Sequence, residues 1–229
     1  MRDTLKVLER EITSCERCER LRRHCAEVAR VKRRAYRGQQ YWGRPVAGFG
    51  DPAAGLYILG LAPGAHGANR TGRVFTGDRS GDWLYRALWQ TGFANQPAST
   101  HRGDGLELKN AWIGASVRCA PPDNKPLPEE LAACRPYVAR ELRLLKNVRV
   151  VVALGRLAFA SYLAVRREAG ARIRPGEWEF RHGALHDLSD GGPRVITSYH
   201  PSQQNTSTRR LTEEMLRAVF EQAASFLEG

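Results

Sequence analysis

Leu56–Gly64 reads LYILGLAPG: an apolar run, Leu56–Leu61, stopped by Ala62-Pro63-Gly64. A short run of this kind, apolar at every position and ended by Pro and Gly, has the pattern of a strand buried on both faces. Three more such runs follow, Ala111–Val117 (AWIGASV), Val148–Leu154 (VRVVVAL) and Arg194–Ser198 (RVITS). Helical stretches lie between and after them. Asp82–Gln90 (DWLYRALWQ) is one, and Gly155 opens another that runs to about Arg167. Pro128 opens a third, to about Lys146, with Glu129 and Glu130 placed as a helix N-terminus favours. Arg210–Leu227 closes the chain as a helix, and Trp178–Leu188 reads as an irregular strand or hairpin. Strands alternating with helices predict an α/β fold, a three-layer α/β/α sandwich with a central, mostly parallel four-stranded sheet. Ligands in such folds bind at loops beyond the carboxyl ends of the strands. The two most polar strand-end loops, Ala62–Gly81 and Tyr199–Arg210, are therefore expected to meet at one site.

The chain has 229 residues, 42% of them hydrophobic, and a formal net charge of +12. The length suits a single domain over residues 1–229, and the apolar content excludes a disordered chain. The positive excess attracts polyanions, of which nucleic acid is the common one. Much of it sits in about residues 1–37, at Arg17, Arg20, Arg22, Arg23, Arg30, Lys32, Arg33, Arg34 and Arg37, after a short helical stripe of Leu5, Leu8 and Ile12. A glycine-rich loop with Tyr41, Trp42 and Phe49 follows. No apolar leader and no membrane-length apolar stretch is visible, so a soluble, cytoplasmic protein without membrane contact is expected.

Five cysteines are present, Cys15, Cys18, Cys25, Cys119 and Cys134. An odd count in an intracellular chain argues against a disulfide framework and for metal or redox chemistry. Cys15 and Cys18 form a C-x2-C pair, Cys119 and Cys134 a C-x14-C pair. Four thiolates hold either zinc or an iron–sulfur cluster, and the spacing does not separate the two. Cys119 and Cys134 also fit as buried core thiols, with zinc on Cys15 and Cys18 alone. Cys25 is left over as a spare thiol or an alternative ligand. The arginines around Cys15 and Cys18 are expected to favour their thiolate forms.

Two loop stretches carry the remaining chemistry, Gly60–Asp78 (GLAPGAHGANRTGRVFTGD) and His200–Arg210 (HPSQQNTSTRR). Glycines let backbone approach a flat ligand, Phe75 offers a stacking face and Asp78 a carboxylate. The spacing matches neither a phosphate-binding P-loop nor a dinucleotide fingerprint. Each residue also has a plainer reading. Asp78 fits as a helix cap, Phe75 as core, and His200 and Asn124 as turn residues. Leu211 fits as the start of the last helix's apolar face.

Taken with RCAPPDNKPLPEE (118–130) and the four cysteines, both stretches resemble the two signature motifs of the uracil-DNA glycosylase superfamily, in its iron–sulfur branches, families 4 and 5. GLAPG with FTGD, and HPS with a following Asn, are similar to family 5, the type B enzymes of bacteria and archaea. The likeness spans Cys15 to about Leu211.

The resemblance implies a catalytic set of Asp78 to place or activate water, Asn124 to assist, and His200 to hydrogen-bond the departing base. It implies a base pocket of Gly60, Ala62, Pro63, Gly64, Phe75, Ala115 and Asn205. Arg209, Arg210 and a wedging Leu211 are expected on DNA. Cys15, Cys18, Cys119 and Cys134 are implied to hold a [4Fe–4S] cluster rather than zinc. Ala62 and Ala115 stand where relatives carry polar residues, which implies a tolerant pocket open to hypoxanthine as well as uracil.

The expected activity is that of a monofunctional DNA glycosylase of base excision repair, which flips the base out and hydrolyses its bond to the sugar. It would act as a monomer near the nucleoid of a prokaryote. The rivals are a non-catalytic, basic, metal-bearing DNA-binding protein and an α/β nucleotide hydrolase.

Overall fold

A computed structural model describes residues 3–174, 176–187 and 191–227. Its helices are α1 (Leu5–Thr13), α2 (Glu19–Val31), α3 (Ala68–Thr71), α4 (Arg79–Gln90), α5 (Pro128–Leu144), α6 (Arg156–Glu168), α7 (Gln203–Ser207) and α8 (Glu213–Ser225). Its strands are β1 (Phe49–Gly50), β2 (Leu56–Gly60), β3 (Ala111–Ala115), β4 (Val150–Leu154), β5 (Leu185–His186) and β6 (Arg194–Ser198). Short 3-10 turns occupy Arg34–Tyr36 and Pro122–Asn124.

The strands form one sheet in the order β1-β3-β2-β4-β6-β5. The four strands read from sequence are its parallel centre, β3-β2-β4-β6. The two-residue strands β1 and β5 pair antiparallel at the edges. The stretch Trp178–Leu188 contributes β5, and its last residue, Leu188, lies outside the described residues.

Alternate strand residues feed two separate cores, as the pleat requires. Leu56, Ile58, Ile113, Val150, Val152 and Ile196 face α4 and α8. Tyr57, Leu59, Trp112, Val151, Ala153 and Val195 face α5 and α6. The result is an α/β/α sandwich, with α1 packed on α5 through Leu8, Ile12 and Tyr137. The parallel register aligns Gly60 with Ala115 and Leu154 with Ser198. Hence the loops after β2, β3, β4 and β6 leave the same edge of the sheet. Among the described residues no helix is long and apolar enough to cross a membrane.

Helix α2 is not anticipated by the reading of the basic segment, yet Leu21 and Cys25 are buried one turn apart on it. Helix α4 begins three residues before the expected Asp82, because Asp78 caps it. Helix α8 begins after the expected Arg210, because Thr212 supplies its cap, with Oγ1 accepting from the Met215 N–H at 3.2 Å.

A buried ion pair joins sheet to helix. Arg118, just past β3, donates through both terminal nitrogens to Glu141 of α5 at 3.0 and 2.7 Å. Both side chains are 1% exposed. The Tyr57 hydroxyl donates to the same carboxylate at 2.6 Å. Removing one partner strands the other charge in the core. Glu141→Ala is therefore expected to lower unfolding stability by about 3–5 kcal/mol, read as a fall in the denaturant midpoint with the slope unchanged.

Candidate active site

The expected convergence of the two loops is centred on Phe75. Its backbone is left-handed, φ +50°, a conformation that costs a non-glycine residue free energy and persists only where neighbours hold it. The ring lies over Gly60, where an added Cβ would meet ring carbons at 2.7 and 2.8 Å. Glycine is thus required at the end of β2 by the aromatic that covers it. The Phe75 ring also lies near that of His200, with ring centroids 5.8 Å apart. His200 in turn rests near Gly155, whose added Cβ would come within 3.4 Å of the His200 Cβ. The ends of β2, β4 and β6 therefore meet through Gly60, Phe75, Gly155 and His200.

Asp78 does two things at once. One carboxylate oxygen accepts from the Gly81 N–H at 3.0 Å and caps α4. The other lies against Gly64 and Gly67, where added Cβ atoms would meet it at 2.8 and 1.8 Å. Helix capping and a place in the glycine-rich loop are thus compatible roles of one carboxylate. Burial pushes the Asp78 carboxyl up from its ordinary value. Burial pulls the His200 imidazole down to about 4, so the ring is neutral near pH 7.

The loops are braced by Asn205, expected in the pocket, and by the arginines Arg70 and Arg73. The Arg73 guanidinium is buried and pairs with Asp104 at 2.7 Å, while bonding Ser99 and Thr76. Arg70 donates to the His66 and Gly77 carbonyls, both at 2.7 Å, and lies over the Tyr36 ring. Asn205 donates to the His200 carbonyl at 2.8 Å. Arginines inside a glycine-rich loop are a visible signal, but Asp104 is distant in sequence and nothing marks it as a partner.

The remaining expected residues divide. Pro63 is buried, and Ala115 is buried at the end of β3 opposite Gly60. Arg209 and Arg210 are exposed, Arg210 lying 4.7 Å over the Tyr199 ring. Leu211 corrects its expected role as a wedge. It is 0% exposed and belongs to the core between the sheet and α4/α8, so its apolar surface is already used in packing. Asn124 is exposed on the loop after β3, and no described hydrogen bond or ring contact joins it to Phe75, Asp78 or His200.

Two clefts, of about 270 and 260 Å3, lie between α1 and the β1–β3 edge beside Trp112. Neither is lined by Phe75, Asp78, Asn124 or His200.

The cysteines gather behind the first loop. Leu21, Cys25, Val117, Cys119, Ala120 and Cys134 form a small buried cluster, against which Cys18, Ala62, Ala65 and Leu131 pack. Cys15 precedes α2, Cys18 is at its N-terminus, Cys119 follows β3 and Cys134 lies in α5. Burial raises the Cys18 thiol, and nearby Cys134 and Cys15 add to the rise. Burial likewise raises Cys134, with Cys15 adding to it. Cys119 is raised by a hydrogen bond with Cys25 and by burial, with Cys134 contributing. Cys134 is thus electrostatically linked to Cys15, Cys18 and Cys119. At Cys18 burial outweighs the attraction of Arg17, so the thiol is raised rather than lowered, against the expectation for it. Among the described residues, no group of three or more His, Cys, Asp or Glu is placed to hold a metal ion.

Comparison with known proteins agrees with the motifs. Residues 47–224 match the family model described as the Uracil DNA glycosylase superfamily. A type-5 uracil-DNA glycosylase of Thermus thermophilus is 50% identical over 212 residues, covering 93% of each chain. A type-5 uracil-DNA glycosylase of Mycobacterium bovis is 51% identical over 213 residues, covering 93% of this chain and 78% of the relative. A type-4 uracil-DNA glycosylase of Thermotoga maritima is 29% identical over 189 residues, covering 80% and 83%.

The depressed His200 value fixes a pH dependence. The unfolded chain binds a proton at this ring near pH 6.5, the folded chain only near pH 4. Stability from this group is complete above pH 6.5 and is lost as pH falls towards 4. The loss is on the order of 2–3 kcal/mol and should be absent in His200→Gln. An NMR titration placing the His200 midpoint near 6.5 would contradict the burial argument.

Proposed function

Since the chain belongs to the uracil-DNA glycosylase superfamily, in its type-5 branch, we propose that it removes uracil and other deaminated bases, hypoxanthine among them, from DNA without cutting the strand. It is a DNA N-glycosylase, and uracil-containing DNA is its substrate class. The observation that carries the residue assignments is the contact of Phe75, seated on Gly60, with His200 from the second loop.

A base in the duplex must leave the stack before a side chain can reach its sugar bond. Exposed Arg209 and Arg210 would hold phosphates and fix register, a salt-sensitive contribution. Phe75 would stack on the flipped base, above the backbone of Gly60, Pro63 and Gly64. As the C1′–N bond breaks, its electron pair stays with the base and positive charge grows on the sugar. His200, neutral near pH 7, would donate a hydrogen bond to the base oxygen as that charge arrives. One such donor is worth roughly 2–4 kcal/mol in the transition state. The water that adds to C1′ would be oriented by the Asp78 oxygen lying against Gly64 and Gly67, and a carboxyl raised by burial is a better proton acceptor. Asn124 would assist from the loop after β3, and Asn205 would keep the His200 backbone in place. Ala62 and Ala115 present no polar group to distinguish one base from another, which supports the wider substrate range.

Cys15, Cys18, Cys119 and Cys134 would hold a [4Fe–4S] cluster, whose part is to tie the N-terminal segment to the β3–α5 region. The donor chemistry suits it: Cys18, Cys119 and Cys134 lie in or against one apolar cluster, and Arg17 and Arg22 lie close by. The choice of iron over zinc rests on the resemblance to the iron–sulfur branches of the family. The same reading treats 1–229 as one domain with a basic, cluster-binding segment of about residues 1–37, acting as a monomer beside the prokaryotic nucleoid.

Incubating the protein with uracil-containing duplex and then alkali should yield strand breaks at the abasic site, and none without alkali. A separate hypoxanthine duplex tests the wider range. Failure on uracil removes the activity, whereas failure on hypoxanthine alone removes only the tolerance. Asp78→Ala and His200→Ala should each slow single-turnover excision at least about tenfold while sparing DNA binding. Full rates in both would move the site elsewhere.

The metal reading has its own check. Protein isolated without exposure to oxygen should be brown and contain iron. Cys119→Ser should lose both colour and iron and unfold at lower temperature; unchanged iron content would refute that ligand.

A further inference from the structure

Between Cys119 and Cys134 the chain makes the loop that carries Asn124, and this loop has little internal support. Asp123 and Asn124 are both left-handed, at φ +54° and +57°. Among the described residues two short-range backbone bonds turn it, Asn124 N–H to the Pro121 carbonyl at 3.2 Å and Lys125 N–H to the Pro122 carbonyl at 3.0 Å. Two successive non-glycine residues in that conformation need an external constraint.

Arg20 supplies it. From the first turn of α2 its guanidinium reaches across to Glu130, Nε to one carboxylate oxygen and Nη2 to the other, both at 2.8 Å. The same Nη2 donates to the Lys125 carbonyl at 3.3 Å. Glu130 is buried, and its Oε2 also accepts from the Leu127 N–H at 2.7 Å. One planar fork thus grips the loop immediately after Asn124 and the helix start that ends it. Deeper along α2, the Cys25 thiol donates to the Ala120 carbonyl at 3.6 Å, on the other side of Asn124. The Asn124 side chain has no hydrogen bond of its own among the described residues and faces outward from this frame.

We propose that Arg20 is a positioning residue for excision: its fork on Glu130 and Lys125 holds Asn124 in the orientation from which it meets the flipped nucleotide. The inference rests on the role given to Asn124 above. A lysine at position 20 keeps the charge but not the two parallel bonds, so it does not replace the arginine.

The test is a double-mutant cycle on the holoprotein, read by single-turnover uracil excision. Arg20→Gln and Arg20→Lys should each slow excision about tenfold. Glu130→Gln should slow it in the same direction. In an Asn124→Ala background, Arg20→Gln should change the rate by less than about twofold, since the group it positions is gone. Iron content and affinity for uncut duplex should stay at wild-type levels in all of them. A wild-type rate in both Arg20→Gln and Glu130→Gln overturns the inference, and so does an Arg20→Gln effect that adds fully to that of Asn124→Ala. The two readings fail separately. A full rate in Asn124→Ala removes the role of Asn124 itself, whereas a slow Asn124→Ala beside a wild-type Arg20→Gln removes only the clamp.

Discussion

The Arg118–Glu141 pair lies where the sheet, the longest helix and the cysteine-bearing segments meet. Placing two charges at 1% exposure is expensive, and attraction offsets that cost only when geometry is good and the spare lone pairs are used. Here two parallel N–H bonds and the Tyr57 hydroxyl satisfy the carboxylate. Space for it comes from Gly114 and Gly48, where added Cβ atoms would stand 2.7 and 2.5 Å from Glu141 oxygens. The consequence is positional. Arg118 is followed by Cys119, and Glu141 sits two helical turns beyond Cys134 on α5. A directional ion pair between them fixes how the exit of β3 faces α5, which an apolar contact would leave free to slide.

From that fixed corner the site is built largely by close backbone approach. Gly60 admits the Phe75 ring, and Gly64 and Gly67 admit the free oxygen of Asp78. The strained backbone of Phe75 is clamped on the far side by Gly81, whose added Cβ would fall 1.8 Å from the Phe75 carbonyl oxygen. The N-terminus of α4 therefore does more than begin a helix. By taking one oxygen of Asp78 as a cap it aims the other, and by pressing on Phe75 it holds the ring over Gly60. Side chains that must meet a base within fractions of an ångström are better held by such contacts than by a flexible loop.

The parts legible in the sequence are those governed by local periodicity or spacing. Four apolar runs gave the parallel centre of the sheet, and the two loops beyond them did converge, because parallel register aligns their carboxyl ends. The edge strands β1 and β5 are two residues each and carry no period to detect. Helix α2 had a signal in the spacing of Leu21, Cys25 and Val28, masked by its dense arginines. Leu211 was misplaced because an apolar residue beside a DNA-facing loop looks the same whether it points out or in, and only packing against α4 and α8 decides. Arg73 with Asp104 and Arg20 with Glu130 are pairings distant in sequence, so no local pattern announces them.

The packing of Ala62 and Ala65 against the cysteine cluster gives small residues in the first loop a second reason to be small. Position 62 is where a polar, water-directing group would be expected from the resemblance to other families. In this fold a longer side chain there would meet the cysteine-bearing cluster that packs behind the loop. Its bulk would also push the loop away from the cysteines that back it. Water direction has a better place at Asp78, whose carboxylate is already oriented by the α4 cap and reaches the same loop from the opposite side. The small residue at position 62 and the cysteine-backed loop are thus one arrangement. The surface that supports the loop from behind removes the polar group from its front, and the acid moves to the helix cap.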